Sequence, residues 1–136
     1  MLRILFVVVA VGCTAGVLYF SWMPAAAYTG SETEVLIKQW LFNLLHPPVY
    51  AGMMMAWYGV IRPTWEWRWR SAVGAAIIAT VIGVIGETGQ IWVPGRYPDV
   101  IDGTLNFVGA GLGMWIVQHV TAKRGARKGI DGEAAG

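Results

Sequence analysis

Five polar side chains in an otherwise apolar chain fall into a pattern that can do chemistry. Glu87 and Gln90 stand three residues apart, and Asp99, Asp102 and Asn106 follow at offsets of three and seven. At helical spacing each set lies on one face. Between them, Val93-Pro94-Gly95-Arg96-Tyr97-Pro98 reads as a tight turn that folds the two faces together and supplies a cation, Arg96. His46 and Tyr50, four apart, add an imidazole and a phenol. Carboxylates beside an imidazole serve as general acids and bases, and Glu87, His46 and Asp102 are the candidates for that work. A guanidinium among amide and hydroxyl donors serves to hold a phosphate or sugar, which makes Arg96, His46, Tyr50, Gln90, Asp99 and Asn106 the candidate binding residues. No metal motif of the Cys/His type is present, no cofactor is specified, and Cys13, the single cysteine, excludes an intramolecular disulfide.

The elements that must position these groups follow from composition. The 136 residues are 56% hydrophobic, 12% aromatic and only 13% charged, and mean hydropathy is +0.52. About a quarter charged is usual for a soluble domain. A bilayer crossing takes about 20 apolar residues, so four crossings leave short loops and no room for a soluble catalytic domain. A formal charge of +2 without a basic stripe excludes a nucleic-acid binder. Because lipid offers the backbone no hydrogen bonds, the crossings are helices. The expected fold is an all-α membrane protein with four transmembrane helices over about residues 2–22, 47–61, 71–92 and 100–120, forming one domain over 1–122. Glycine pairs (Gly12 and Gly16, Gly109 and Gly113) and Gly83, Gly86 and Gly89 mark expected helix contacts.

Arginine and lysine set the orientation. Eight of them (Arg3, Arg62, Arg68, Arg70, Lys123, Arg124, Arg127 and Lys128) fall on one side and two, Lys38 and Arg96, on the other. Both termini are therefore expected in the cytoplasm and the polar layer at the outer face. Trp65, Trp67 and Trp69 form an inner aromatic belt, with Trp22, Trp40, Trp92 and Tyr97 as the outer one. A capping box, Ser31 with Glu34, opens a short interfacial helix over 32–45 in the first outer loop. Pro47 and Pro48 then suit the first turn of the second crossing. The charged, Gly-rich tail over 123–136 is expected to be disordered. Arg3, the apolar run and Ala25-Ala26-Ala27 also resemble a signal peptide, but an apolar run of about 20 residues exceeds the usual signal core, and the uncleaved helix is preferred.

A carboxylate at membrane depth needs a partner or a proton. For Glu87 the partner is Arg96 or His46. A bland alternative is a buried polar clasp between helices, yet five or more groups in one layer exceed what a clasp needs. Met53, Met54 and Met55 read as packing, His119 as an interfacial residue and Cys13 as a small buried one.

The ordered run Glu87-x-x-Gln90, Pro94-Gly95-Arg96, Asp99-x-x-Asp102 and Asn106-x-x-Gly109, with the earlier His46-x-x-x-Tyr50, resembles the signature of the VanZ-like family. Members commonly carry Asp-Lys four and three residues before the histidine, where this chain has Phe42 and Asn43. The resemblance implies a multi-pass protein of the bacterial cytoplasmic membrane, in a family linked to glycopeptide (teicoplanin) resistance. The leading functional expectation is binding of a membrane lipid or lipid-linked envelope precursor by its head group. The alternatives are a membrane enzyme acting on a lipid-linked phosphate, with Asp99 and Asp102 offered to a divalent ion, and a scaffolding subunit acting through homo-oligomers or a membrane protein partner. A transporter ranks lower, because no inverted repeat is evident.

Overall fold

An apolar chain that must satisfy its own backbone in lipid forms helices, and among the described residues every regular element is helical. The computed structural model of the chain describes residues 1–24, 32–62 and 68–133. Helix α1 spans Leu2–Ser21, α2 Glu32–Ile61, α3 Arg68–Gly89 and α4 Val100–Glu133, with a 3-10 turn at Gln90–Trp92 extending α3. By length and composition three helical stretches can cross a membrane: Leu2–Ser21, Arg68–Trp92 and Val100–Lys123. Their outward side chains form the apolar surface a bilayer requires, including Ile4, Val8 and Phe20 on α1, Ile77 and Val84 on α3, and Phe107 and Trp115 on α4.

Helix α2 is the hub. It packs against α1, α3 and α4, and α1 and α4 each pack on α3 as well. Tyr50, Met53, Met54 and Tyr58 from α2 form the core with Ala72, Ala75, Ala79 and Ile82 from α3 and Ala110 from α4. The described part of α2 buries Tyr50, Met53, Met54 and Tyr58 against the other helices, while Leu41, Leu44 and Val49 stay exposed. On the α1 side the Trp57 indole N–H donates to the Thr14 hydroxyl at 3.2 Å, which in turn donates to the Ala10 carbonyl at 2.8 Å. Met53 and Met54 are wholly buried, as packing residues should be.

Three features differ from the sequence expectation. The second helix does not begin at Pro47: α2 runs unbroken from Glu32, with Pro47 and Pro48 inside it. Each proline removes one intrahelical hydrogen bond, but a break between packed helices would strand more backbone groups than the two lost donors. Packing on α4 holds the stretch, because Gly109 presents no side chain to it: a Cβ there would stand 2.6 Å from the Pro47 carbonyl oxygen. The separate interfacial helix over 32–45 is thus continuous with the rest of α2. Helix α4 continues to Glu133 instead of dissolving into a disordered tail at residue 123. The Gly12 and Gly16 pair also marks no contact among the described residues, since a Cβ at either position meets nothing within 4 Å. The Ser31 half of the capping box, Ala25 to Ala27, and Trp65 and Trp67 of the inner belt lie outside the described residues.

Candidate functional site

The end of α1, the end of α3 and the start of α4 meet at one pole of the bundle, and glycines set how closely. Gly86 and Gly89 leave α3 bare where Ser21 and Trp22 lie against it: a Cβ on Gly86 would sit 3.2 Å from the Ser21 hydroxyl, and one on Gly89 would collide with the Trp22 indole. The Trp22 indole N–H uses that room to donate to the Gly86 carbonyl at 3.2 Å. Gln90, almost fully buried, donates through its amide to the Ser21 hydroxyl at 3.2 Å and lies 3.5 Å from the Glu87 carboxylate.

The turn after α3 is built by Gly95, whose φ of 74° is open to glycine at little cost. Arg96 follows, its backbone N–H donating to the Val93 carbonyl at 3.1 Å and its guanidinium to the Ser21 carbonyl at 3.4 Å. Asp99 then caps α4. Its carboxylate accepts the Ile101 N–H at 2.8 Å and its carbonyl accepts the Gly103 N–H at 3.1 Å. The Asp99 N–H in turn donates to the other oxygen of Glu87 at 3.3 Å. Glu87 therefore joins the two ends of the α3–α4 turn.

A second polar group lies between α2 and α4. His46 Nδ1 is 2.6 Å from Asn106 Oδ1; an amide oxygen only accepts, so the ring proton sits on Nδ1. The His46 ring stacks on Tyr50 at 6.2 Å between centroids and 18° between planes. Gly83 on α3 makes room for the pair, because a Cβ there would lie 3.1 Å from the Tyr50 ring and 3.2 Å from the Asn106 amide nitrogen. Asn106 is only 3% exposed, and its Nδ2 has no hydrogen-bond partner among the described residues. An unmet amide donor at such burial is costly, so the position asks for an acceptor.

Both groups border a cavity of about 270 Å3 between α3 and α4, with Glu87, Asp99 and Asn106 on its wall beside Thr80, Thr88 and Gly103. Its rim residues Val84, Val100 and Phe107 are each more than half exposed, so it opens on the apolar outer surface. The volume approaches the lower end of small-molecule sites, roughly 300 Å3.

Among the sequence candidates, Glu87, Asp99 and Asn106 line this cavity, whereas His46, Tyr50, Gln90, Arg96 and Asp102 do not. His46 and Tyr50 stand behind Asn106, and Gln90 and Arg96 turn towards Ser21 on α1. Glu87 and Asp102 both lie within electrostatic reach of His46 and Arg96. Among the described residues no three His, Cys, Asp or Glu side chains gather to hold a metal ion, and Asp99 is engaged as a helix cap. Sequence reasoning missed Ser21, Thr80 and Thr88. Ser21 sits at the end of an apolar helix and nothing local shows that α1 ends beside Gln90; the two threonines read as ordinary residues of a crossing helix.

No curated protein and no solved structure matches the chain. The VanZ/LLP1 family model matches residues 6–121, which takes in most of α1, all of α2 and α3, the first two thirds of α4 and every residue of the cavity wall. With that match over most of its length, the chain belongs to the VanZ/LLP1 family.

Proposed function

We propose that this protein binds the head group of a membrane lipid or lipid-linked envelope precursor in the cavity between α3 and α4. The observation that carries the reading is the cavity itself: a head-group-sized hollow with Glu87, Asp99 and Asn106 on its wall and an apolar rim. A soluble ligand has no need of that rim, while a lipid places its polar end inside and its chains along the outer surface. On this reading α2 is the fourth crossing, both termini face the cytoplasm of a bacterial cell, and the site opens towards the outer leaflet of the inner membrane. Linkage to teicoplanin resistance would follow if the bound lipid is one on which glycopeptides act.

The test is photo-crosslinking with lipids that carry a diazirine in the head group, applied to the full chain in membranes. The expected adducts fall on residues 80–88 and 99–107. Adducts spread evenly over the apolar faces of α1, α3 and α4 would contradict the reading.

A further inference from the structure

The pole opposite the cavity gathers exposed cations. Arg62 follows the end of α2, Arg68 opens α3, and Lys123 stands on α4 two residues beyond Thr121. The packed α2–α3 pair brings Arg62 and Arg68 to the same end of the bundle. Contacts hold both guanidiniums in place without neutralising them. Arg68 donates to the Thr121 carbonyl at 3.3 Å, which ties the start of α3 to α4 and uses one of its five N–H donors. Arg62 lies over the Tyr58 ring, 5.9 Å from its centroid, a contact that offers the N–H fork no oxygen. The acids with described side chains, Glu87, Asp99 and Asp102, all stand at the cavity pole, and neither Arg62 nor Arg68 is paired with an acid among the described residues. Across 62–70 the sequence itself sets Arg62, Arg68 and Arg70 against the single acid Glu66.

We infer that this pole is a second lipid site, which takes an anionic phospholipid by its phosphate through Arg62 and Arg68. Two features carry the inference. Arg68 and Lys123 are the end residues of stretches able to cross a membrane, so the cations lie at the level of lipid phosphates, where basic residues attract anionic lipid. Guanidinium forks match phosphate oxygens in pairs of hydrogen bonds, and side chains already held by Thr121 and the Tyr58 ring lose little freedom when a ligand binds. Trp69, 53% exposed beside Arg68, adds a ring suited to the head-group region. A zwitterionic lipid brings its own ammonium to a pole that is already positive, so the site selects net negative charge. No residue is shared with the cavity between α3 and α4, and the inference does not depend on what the cavity holds.

The experiment releases the full chain from nanodiscs holding equal amounts of phosphatidylglycerol and phosphatidylcholine and reads the retained lipid by native mass spectrometry. The expected result is a severalfold preference for phosphatidylglycerol. Arg62→Gln and Arg68→Gln are each expected to lower that preference about fivefold, the weight of one basic residue near an anionic surface. Both side chains are exposed, so neither change is expected to disturb the fold. Arg127→Gln removes the same charge about 9 Å further along α4 at 1.5 Å per residue, and is expected to leave the preference as it is. Equal retention of the two lipids overturns the inference, and so does an equal loss in Arg127→Gln, which would mean attraction by overall charge. Displacement of the lipid by soluble glycerol 3-phosphate overturns the lipid as partner. Gly103→Leu fills the cavity at the other pole. A preference lost in Gly103→Leu assigns the lipid to the cavity and overturns the second site, whereas a preference kept there supports it whatever becomes of the head-group reading.

Discussion

Asp99 and Glu87 each do two jobs, and separating them shows what the site residues are for. Asp99 caps α4 through Ile101 while standing on the cavity wall. Asp99→Ala is expected to cost about 1 kcal/mol of stability, the usual loss for a missing cap, whereas Asp99→Asn stays within a few tenths; chemical unfolding of the detergent-solubilised protein reads both. His46 works through its bond to Asn106. Interhelical hydrogen bonds in membranes are worth less than their burial suggests, about 0.6 kcal/mol on average and up to about 1.7. His46→Ala is accordingly expected to lower stability by about 1 kcal/mol in the same unfolding assay and to loosen α2 from α4. A loss of ligand without any change in stability would place His46 in the cavity and contradict the geometry. The residue types were legible from spacing, since Glu87, Asp99 and Asn106 line one cavity and Gln90 stands beside Glu87. Their partners were not, because Ser21 comes from a helix about 70 residues away and no periodicity in α3 points to it.

Glycine reads differently at each element, and hydropathy alone does not tell which glycines carry packing. Gly109 and Gly113 let α4 lie on α2: a Cβ on Gly109 would stand 2.8 Å from Tyr50 Cβ, and one on Gly113 2.8 Å from the Ala51 carbonyl oxygen. Gly12 and Gly16 carry the same sequence motif on α1, and a Cβ at either meets nothing within 4 Å among the described residues. Gly109→Leu is therefore expected to destabilise the bundle by about 1–3 kcal/mol, the range for overpacking. Gly12→Leu is expected to stay within about 0.5 kcal/mol. Unfolding measured side by side distinguishes the two, and a large loss in Gly12→Leu at high protein concentration alone would reveal a contact between copies through α1. The bounds of α1 and α3 were readable to within a few residues because each is a plain apolar run. The prolines misled the reading of α2: Pro47 and Pro48 look like a helix start locally, and only their packing on Gly109 shows why the helix continues through them.

At the scale of the whole molecule the polar pole has one side of the membrane to face. With Cys13 replaced by alanine, Tyr97→Cys in the exposed α3–α4 turn is expected to react with an impermeant maleimide in intact cells, and Lys123→Cys only after permeabilisation. The opposite pattern would turn the cavity to the cytoplasm. Membrane character and helical class were legible from composition, and the family from its ordered motif. The cavity was not, because a hollow between α3 and α4 depends on which faces meet and on the absence of a side chain at Gly83 and Gly103. Gly103 gives the most direct test of head-group binding. It lines the cavity, and a Cβ there meets nothing within 4 Å, so Gly103→Leu fills the hollow without straining the fold. Lipid co-purifying with Gly103→Leu, measured against wild type and against Gly12→Leu as the control, is the measurement to make. The account predicts that the retained lipid falls at least tenfold in Gly103→Leu while the control keeps the wild-type amount. Undiminished lipid on a folded Gly103→Leu protein would contradict it.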